Sequence, residues 1–172
     1  MTGKDNPFWT YSYALHESEG IGPACIELQD RHGLDVNLLL YCCWIAASGR
    51  GALDAADLEK AFETVQQWQT RVSTPIREIR RLLKTDSLGV PMDLAQAFRK
   101  DLMSVELASE RVAQDALFAI ARPPLDLAME RRESVVRENL MRYLDFSGVV
   151  SDDGDQAAIE TIAAASLAPI EG

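Results

Sequence analysis

The sequence predicts an all-α protein, a single-domain bundle of six to seven helices around a central apolar helix at residues 36–47. The chain has 172 residues, of which 47% are hydrophobic, enough for one domain with a full core. Apolar residues mostly recur three and four positions apart, which is the helical period. Between Val36 and Ala47 every residue except Asn37 is apolar. A helix that is apolar on all sides must be surrounded by protein, so we place it at the centre.

Local signals indicate where the helices begin and end. Asn6 is an N-cap and Pro7 follows it as the first residue of a helix. Pro23 likewise stands at the start of the next helix. Asp35 and Asp54 are N-caps, and Gly33 suits the left-handed residue that ends a helix. We therefore expect helices over residues 7–17, 23–32, 36–47, 55–84 with a restart or kink at Thr74–Pro75, 93–121 and 125–144.

The long helix after residue 92 carries apolar residues at helical spacing. The stripe consists of Leu94, Phe98, Leu102, Val105, Ala108 and Val112. We expect this stripe to face the core.

The chain changes character near residue 146. After Arg142 it has no lysine or arginine but six acidic residues, among them Asp152, Asp155 and Glu160. Residues 1–145 are therefore expected to form the helical domain. Residues 146–172 are expected to be an acidic, alanine-rich tail that is mobile or loosely docked, with a short helix possible at 157–167.

Charge and cysteine content limit the compartment and the partners. A formal net charge of −10 argues against nonspecific binding to nucleic acid and against attraction to an anionic membrane. Cys25, Cys42 and Cys43 are odd in number and two are adjacent, which favours buried, reduced thiols. The longest apolar run, residues 38–47, is too short for a membrane helix of about 20 residues. We expect a cytoplasmic protein with no nucleic-acid or membrane partner.

Two polar clusters are candidate ligand-binding sites. The first flanks the central helix and comprises Gln29, Asp30, His32, Asp35 and Asn37. These residues either cap and connect helices or converge on a ligand or a metal. No motif indicates a catalytic residue, a metal site or a cofactor.

The second cluster lies on one side of a single helix, with spacings of three, four and seven. It comprises Arg77, Arg80, Arg81 and Lys84. These cations either bind phosphate or carboxylate groups or pair with Glu106, Glu110 or the acidic tail.

Several short segments carry a family resemblance. They are Phe8-Trp9, Gly20-Ile21-Gly22, Leu28-Gln29-Asp30, Asp35-Val36-Asn37-Leu38-Leu39-Leu40 and Trp44, followed by Trp68, Pro75, Arg77, Arg80-Arg81 and Lys84. Over about residues 7–145 the chain resembles a small bacterial family, domain of unknown function 2390. The resemblance implies a compact cytosolic protein and brings no established activity. It draws attention to Gln29, Asp30, Asp35 and Asn37, which lie in its most distinctive part.

Two function hypotheses follow. The first is a non-enzymatic protein-interaction or regulatory module that engages a protein partner or itself. The second is a small-ligand or metal-binding enzyme, which requires both polar clusters to line one concave pocket. Under the first hypothesis the basic residues should lie on a convex, exposed face. A third possibility is that the acidic tail covers residues 77–84.

Overall fold

The computed structural model describes residues 6–171, with side chains for residues 6–169. The helices are α1 (Pro7–His16), α2 (Ile21–His32), α3 (Val36–Ala47), α4 (Ala55–Trp68), α5 (Thr74–Leu82), α6 (Met92–Ile120), α7 (Met129–Phe146), α8 (Asp153–Ala165) and α9 (Ala168–Glu171). No strand occurs in this range, so the all-α prediction is confirmed. None of the helices in the same range is both long and apolar enough to cross a bilayer.

Helix α3 lies at the centre of the bundle, as predicted. All of its residues from Asn37 to Ala47 are buried, and it packs against α1, α2, α6 and α7. The ring of Trp44 lies 5.2 Å from that of Phe8 on α1 and 5.7 Å from that of Phe118 on α6. Aromatic contacts therefore join three helices around the middle of the core.

The predicted helix boundaries rest on caps that the structure confirms. The side chain of Asn6 accepts hydrogen bonds from the amides of Phe8 and Trp9 at the start of α1. The side chain of Asp35 accepts one from the amide of Asn37, at 2.8 Å. Gly33 ends α2 with a φ of 68°, a conformation that glycine adopts without strain.

Helices α4 and α5 form one continuous helix despite Pro75. The joining segment, Gln69–Ser73, is π-helical. Proline cannot donate a backbone hydrogen bond and crowds the preceding turn, and the wider π turn accommodates both effects. The predicted restart or kink is thus a change of helical type.

The core continues past the boundary expected at residue 146. Helix α8 packs against α2 and α7, and its Ile159 and Ile162 are fully buried in the same core as α3. Asp152, its N-cap, and Asp155 pair with Arg31 on α2, and Glu160 pairs with Arg137 on α7. No ion pair joins the described residues of the tail to residues 77–84. The expectation of a loosely docked tail is therefore corrected for α8. Two isoleucines three positions apart supply the docking face among many small and acidic residues.

The prediction that the apolar stripe of α6 faces the core is wrong for most of its residues. Leu102 is buried, but Leu94, Phe98, Val105 and Val112 are 60%, 55%, 49% and 46% exposed, and Ala108 is exposed as well. The buried face lies to one side and consists of Ala95, Leu102, Ser109, Ala113, Gln114 and Leu117. Half of these residues are small and allow close approach, as where the Trp68 indole donates to the Ser109 carbonyl at 3.1 Å. A hydrophobicity pattern underrates such residues.

The three cysteines are buried, as predicted. Burial raises the pKa of Cys25 to about 12 and shifts the pKa values of Cys42 and Cys43 upward as well. Since the thiolate is the nucleophile, these thiols are suited to packing rather than to chemistry.

Candidate functional site

A groove of about 450 Å³ lies between α1 and α2 on one side and α5 and α6 on the other. We call it the α1–α6 groove. Its apolar wall consists of Trp9, Tyr13, Ile26, Val36, Leu40, Met103 and Leu107. Tyr13, Ile26, Met103 and Leu107 are about half-exposed. The groove therefore presents a continuous apolar surface to solvent.

A second cavity, of about 420 Å³, lies between α2, α4 and α5. We call it the α2–α4 cleft. Asp30 and Asp35 line it, while Gln29, Arg77 and Arg81 border both the cleft and the groove. The two predicted clusters, far apart in the sequence, thus meet along a shared wall.

The floor of the groove is a chain of buried hydrogen bonds. Ser12 donates to the amide oxygen of Gln114 at 2.5 Å, and Gln114 donates to the amide oxygen of Asn37 at 2.9 Å. Asn37 in turn donates to Glu110, which also accepts from Gln69 at 3.1 Å. Asn37 and Gln114 each use both ends of the amide, so the chain of bonds joins α1, α3, α6 and the π-helical segment, as the structural interpretation of Asn37 expected.

The predicted basic side of α5 forms ion pairs with α6. Arg77 donates from Nε to Glu106 at 3.1 Å and from Nη2 to Glu110 at 2.7 Å, and Arg80 also pairs with Glu106. Burial alone would raise the pKa of Glu106, but the hydrogen bonds from Arg80 and Arg77 hold it below its ordinary value. Pairing with Glu106 and Glu110 was one of the alternatives considered from the sequence. The expectation of a convex, exposed basic face is wrong for Arg77 and Arg80, which are partly buried and line the groove.

The remaining predicted residues separate. Arg81 is exposed and its Nη2 lies 3.5 Å from Oδ1 of the equally exposed Asp30. Lys84 is exposed and lines neither cavity. His32 faces α8, where its Nε2 lies 2.8 Å from Oδ1 of Asp155. Seven of the nine predicted residues therefore adjoin the cavities or their floor, and His32 and Lys84 do not.

The site contains residues that the sequence analysis did not single out. Trp9 and Tyr13 lie four positions apart on α1, on the face opposite the buried Phe8, Tyr11 and Leu15. Large aromatic residues on both faces of a short helix were the available signal, since an ordinary surface helix is polar outside. Within residues 6–169 no cluster of three His, Cys, Asp or Glu side chains is suited to hold a metal ion.

Asp35 is a titratable group at the edge of the cleft. Burial, with a contribution from Glu110, raises its pKa to about 6, although the Asn37 amide opposes the rise. Because the folded-state pKa lies above the unfolded value of about 3.9, ionised Asp35 destabilises the fold at neutral pH. That penalty disappears as the pH falls through 6 towards 4.

We therefore expect Asp35→Asn to stabilise the protein by about 1–2 kcal/mol at neutral pH. Asparagine keeps the N-cap and removes the buried charge. Urea unfolding of both proteins between about pH 8 and pH 4 measures the difference, which should shrink steadily with decreasing pH. Groups with lowered pKa values, such as Glu106, destabilise both proteins equally when they are protonated at low pH. Their contributions therefore cancel in the difference between the two proteins. A difference that is constant across this range would contradict the assignment.

The fold and site define a class, a single-domain, all-α protein with two cavities that share one wall. The chain belongs to the family described as protein of unknown function (DUF2390), whose model matches residues 7–117. The match ends near the end of α6, short of the expected residue 145, and contains every residue that lines either cavity. No curated protein and no solved structure matches the chain.

Proposed function

We propose that this protein is a non-enzymatic interaction module and that α6 binds an amphipathic helix of a partner protein. The observation that carries the proposal is the apolar side of α6, formed by Leu94, Phe98, Val105 and Val112, each about half-exposed. We call it the α6 apolar face. Its members lie four and seven positions apart, which is the repeat by which helices pair side by side.

The α6 apolar face is larger than the scattered apolar residues of an ordinary surface. From Leu94 to Val112 it extends about 27 Å along the helix at 1.5 Å per residue. Ala97, Ser104 and Ala108 border it and are exposed. Their small side chains leave room for a second helix at close range. Contiguous apolar surface of this kind marks protein interaction sites.

Charge favours a basic partner helix. The chain has a formal net charge of −10, and the charged residue within the α6 apolar face is the exposed Asp101. A helix with lysine or arginine beside its apolar stripe complements both features. Two copies of this chain would repel each other, which argues against self-association.

The cavities support a binding role rather than chemistry. Glu106 and Glu110 are engaged by arginine side chains, and the lowered pKa of Glu106 makes it a poor proton donor near neutral pH. The buried thiols with raised pKa values support the proposal that the protein works in the reducing cytoplasm. Its acidic charge supports the proposal that nucleic acid is not a partner.

Two designed peptides test the proposal. Both carry leucines at heptad spacing, one with lysines and the other with glutamates at the polar positions, and fluorescence anisotropy measures binding at physiological ionic strength. We expect the basic peptide to bind and the acidic one not to bind. Phe98→Ser and Val105→Ser should each weaken binding of the basic peptide at least about tenfold, or 1.4 kcal/mol.

The matched control is Val150→Ser, since Val150 is 95% exposed and lies away from α6. Equal binding by wild type, Phe98→Ser and Val150→Ser would show nonspecific charge attraction and overturn the proposal. Sedimentation equilibrium of the protein alone provides a second test. A concentration-dependent dimer that Phe98→Ser abolishes would replace the partner helix with a second copy.

A further inference from the structure

We propose that the α1–α6 groove is a binding site for a small molecule with an apolar chain or ring and a single carboxylate. The apolar part would lie between Trp9 and Tyr13 on one side and Met103 and Leu107 on the other, with the carboxylate at Arg81. This site is separate from the α6 apolar face and goes beyond the proposed interaction with a partner.

The size and walls of the groove suit such a ligand. Its volume of about 450 Å³ falls in the usual range for small-molecule sites, roughly 300–1,000 Å³. Tyr13, Ile26, Met103 and Leu107 come from three helices and each is about half-exposed, so a ligand would remove apolar surface from water. Methionine adapts readily to ligand shape. The Trp9 ring also stacks with the guanidinium of Arg111, which lies 4.9 Å from the ring centroid and does not line the groove.

The polar floor does not select the ligand. Ser12 and Gln114 line the groove but bond to each other, and Gln114 also bonds to Asn37. Since these groups are already satisfied, a polar ligand atom placed on them would displace existing hydrogen bonds. Recognition of a charged group must therefore occur at one end of the groove.

The groove-lining residues His16 and Arg81 each contact α2, at Gly22 and Asp30, which do not themselves line the groove. Gly22 lies against the His16 ring at one end, and Asp30 lies against Arg81 at the other. Gly22 and Asp30 are eight positions apart, which corresponds to about 12 Å at 1.5 Å per residue. The groove is therefore long enough for an extended chain that reaches Arg81 with its head group.

The charges at the Arg81 end of the groove are balanced. The guanidinium groups of Arg77 and Arg80 pair with two groove-lining carboxylates, those of Glu106 and Glu110. The third, that of Arg81, faces Asp30 across 3.5 Å. A ligand carboxylate at Arg81 would replace the carboxylate of Asp30, one charge for one. A doubly charged phosphate would bring excess negative charge next to both glutamates.

Arg81 is the arginine that is available to a ligand. Its contact with Asp30 is 3.5 Å long between two half-exposed side chains, which makes the pair weak. A bound carboxylate would form shorter, paired hydrogen bonds with the same guanidinium. Arg77 and Arg80 use Nε and Nη2 to hold the glutamates of α6 and stay in place beneath it.

Decanoate and decanol are matched probes, because they share an apolar chain and differ in the carboxylate. Isothermal titration calorimetry of the full chain, below the micelle concentration of decanoate, measures both. We expect decanoate to bind at least about tenfold more tightly than decanol, or 1.4 kcal/mol. Arg81→Gln should abolish this preference, whereas Leu107→Ser should weaken both probes. Lys84→Gln removes a neighbouring exposed charge outside the groove and should leave the affinity for both probes unchanged.

Three outcomes would overturn the inference. Equal binding of both probes would show an apolar groove without carboxylate recognition. Equal losses in Arg81→Gln and Lys84→Gln would show that net charge, and not the groove, attracts decanoate. If neither decanoate nor decanol bound, the groove would not be a site for such a ligand. Phe98→Ser should leave decanoate binding intact, so this inference and the proposed function fail independently.

Discussion

Deletion of residues 151–172 is expected to destabilise the protein by about 4 kcal/mol or more, measured by urea unfolding. The deletion removes Ile159 and Ile162, which are fully buried against the rest of the core. Truncation of one such side chain to alanine typically costs about 2–5 kcal/mol, and here two are lost together with their helix. If residues 151–172 contributed no packing, the shortened chain would unfold at the same urea concentration as the full chain.

A point variant separates the polar and apolar parts of this effect. Asp155 is fully buried, and its Oδ1 lies 2.9 Å from Nη1 of Arg31 and 2.8 Å from Nε2 of His32. Asp155→Asn should cost about 1–3 kcal/mol, because it removes the buried carboxylate oxygen that accepts from Arg31 and contacts His32. The exposed Asp153, two positions earlier on α8, is the control, and its replacement by asparagine should cost less than about 1 kcal/mol. Similar effects of the two substitutions would show that the α2–α8 contact is not held by the buried charge.

Asn139→Ala is expected to cost about 3 kcal/mol of unfolding free energy. Asn139 is fully buried on α7. Its Oδ1 accepts from the Leu53 amide at 2.8 Å, and its Nδ2 donates to the Cys42 carbonyl at 3.1 Å and to the Gly51 carbonyl at 3.5 Å. One side chain thus bonds to buried backbone groups of α3 and of the loop before α4, and alanine leaves the Leu53 amide without its acceptor.

Hydrogen exchange of the Leu53 amide provides a second measurement for Asn139→Ala. The amide should be protected in the wild type and should exchange much faster in the variant, because its acceptor is lost. Ser134→Ala on the same helix is the control, since its exposed hydroxyl contacts only the Arg131 carbonyl. Stability equal to that of the control, with protection retained, would show that Asn139 does not anchor the loop.

The elements that the sequence predicted correctly are those with local signals. Asp35 and Asn6 cap the helices they precede because a cap involves residues two or three positions apart. The burial of residues 36–47 follows from apolar residues on every side, which no solvated helix can carry. The family resemblance rests on the same part of the chain and is confirmed.

The faces of α6 and α8 could not be predicted in the same way. Each helix carries more apolar positions than its neighbours can cover, or small residues whose burial depends on how closely another helix approaches. Ser109 and Ala113 are buried because α3 and α4 pack against α6, while the larger Phe98 is left exposed. The helical periodicity of the apolar residues is correct, but which side of the helix is buried depends on the helices that pack against it.

By itself, the sequence determined the fold class, the central helix and the residue types of the candidate site, since these depend on composition and on short-range spacing. Only the tertiary structure decided that Gln29 borders the same cavities as Arg77 and Arg81, that Glu106 and Glu110 hold the arginines of α5, and that Trp9 and Tyr13 form a groove wall. The physical reason is that these contacts join residues far apart in the chain. Helix packing angles and distances bring such residues together, and local periodicity does not encode those quantities.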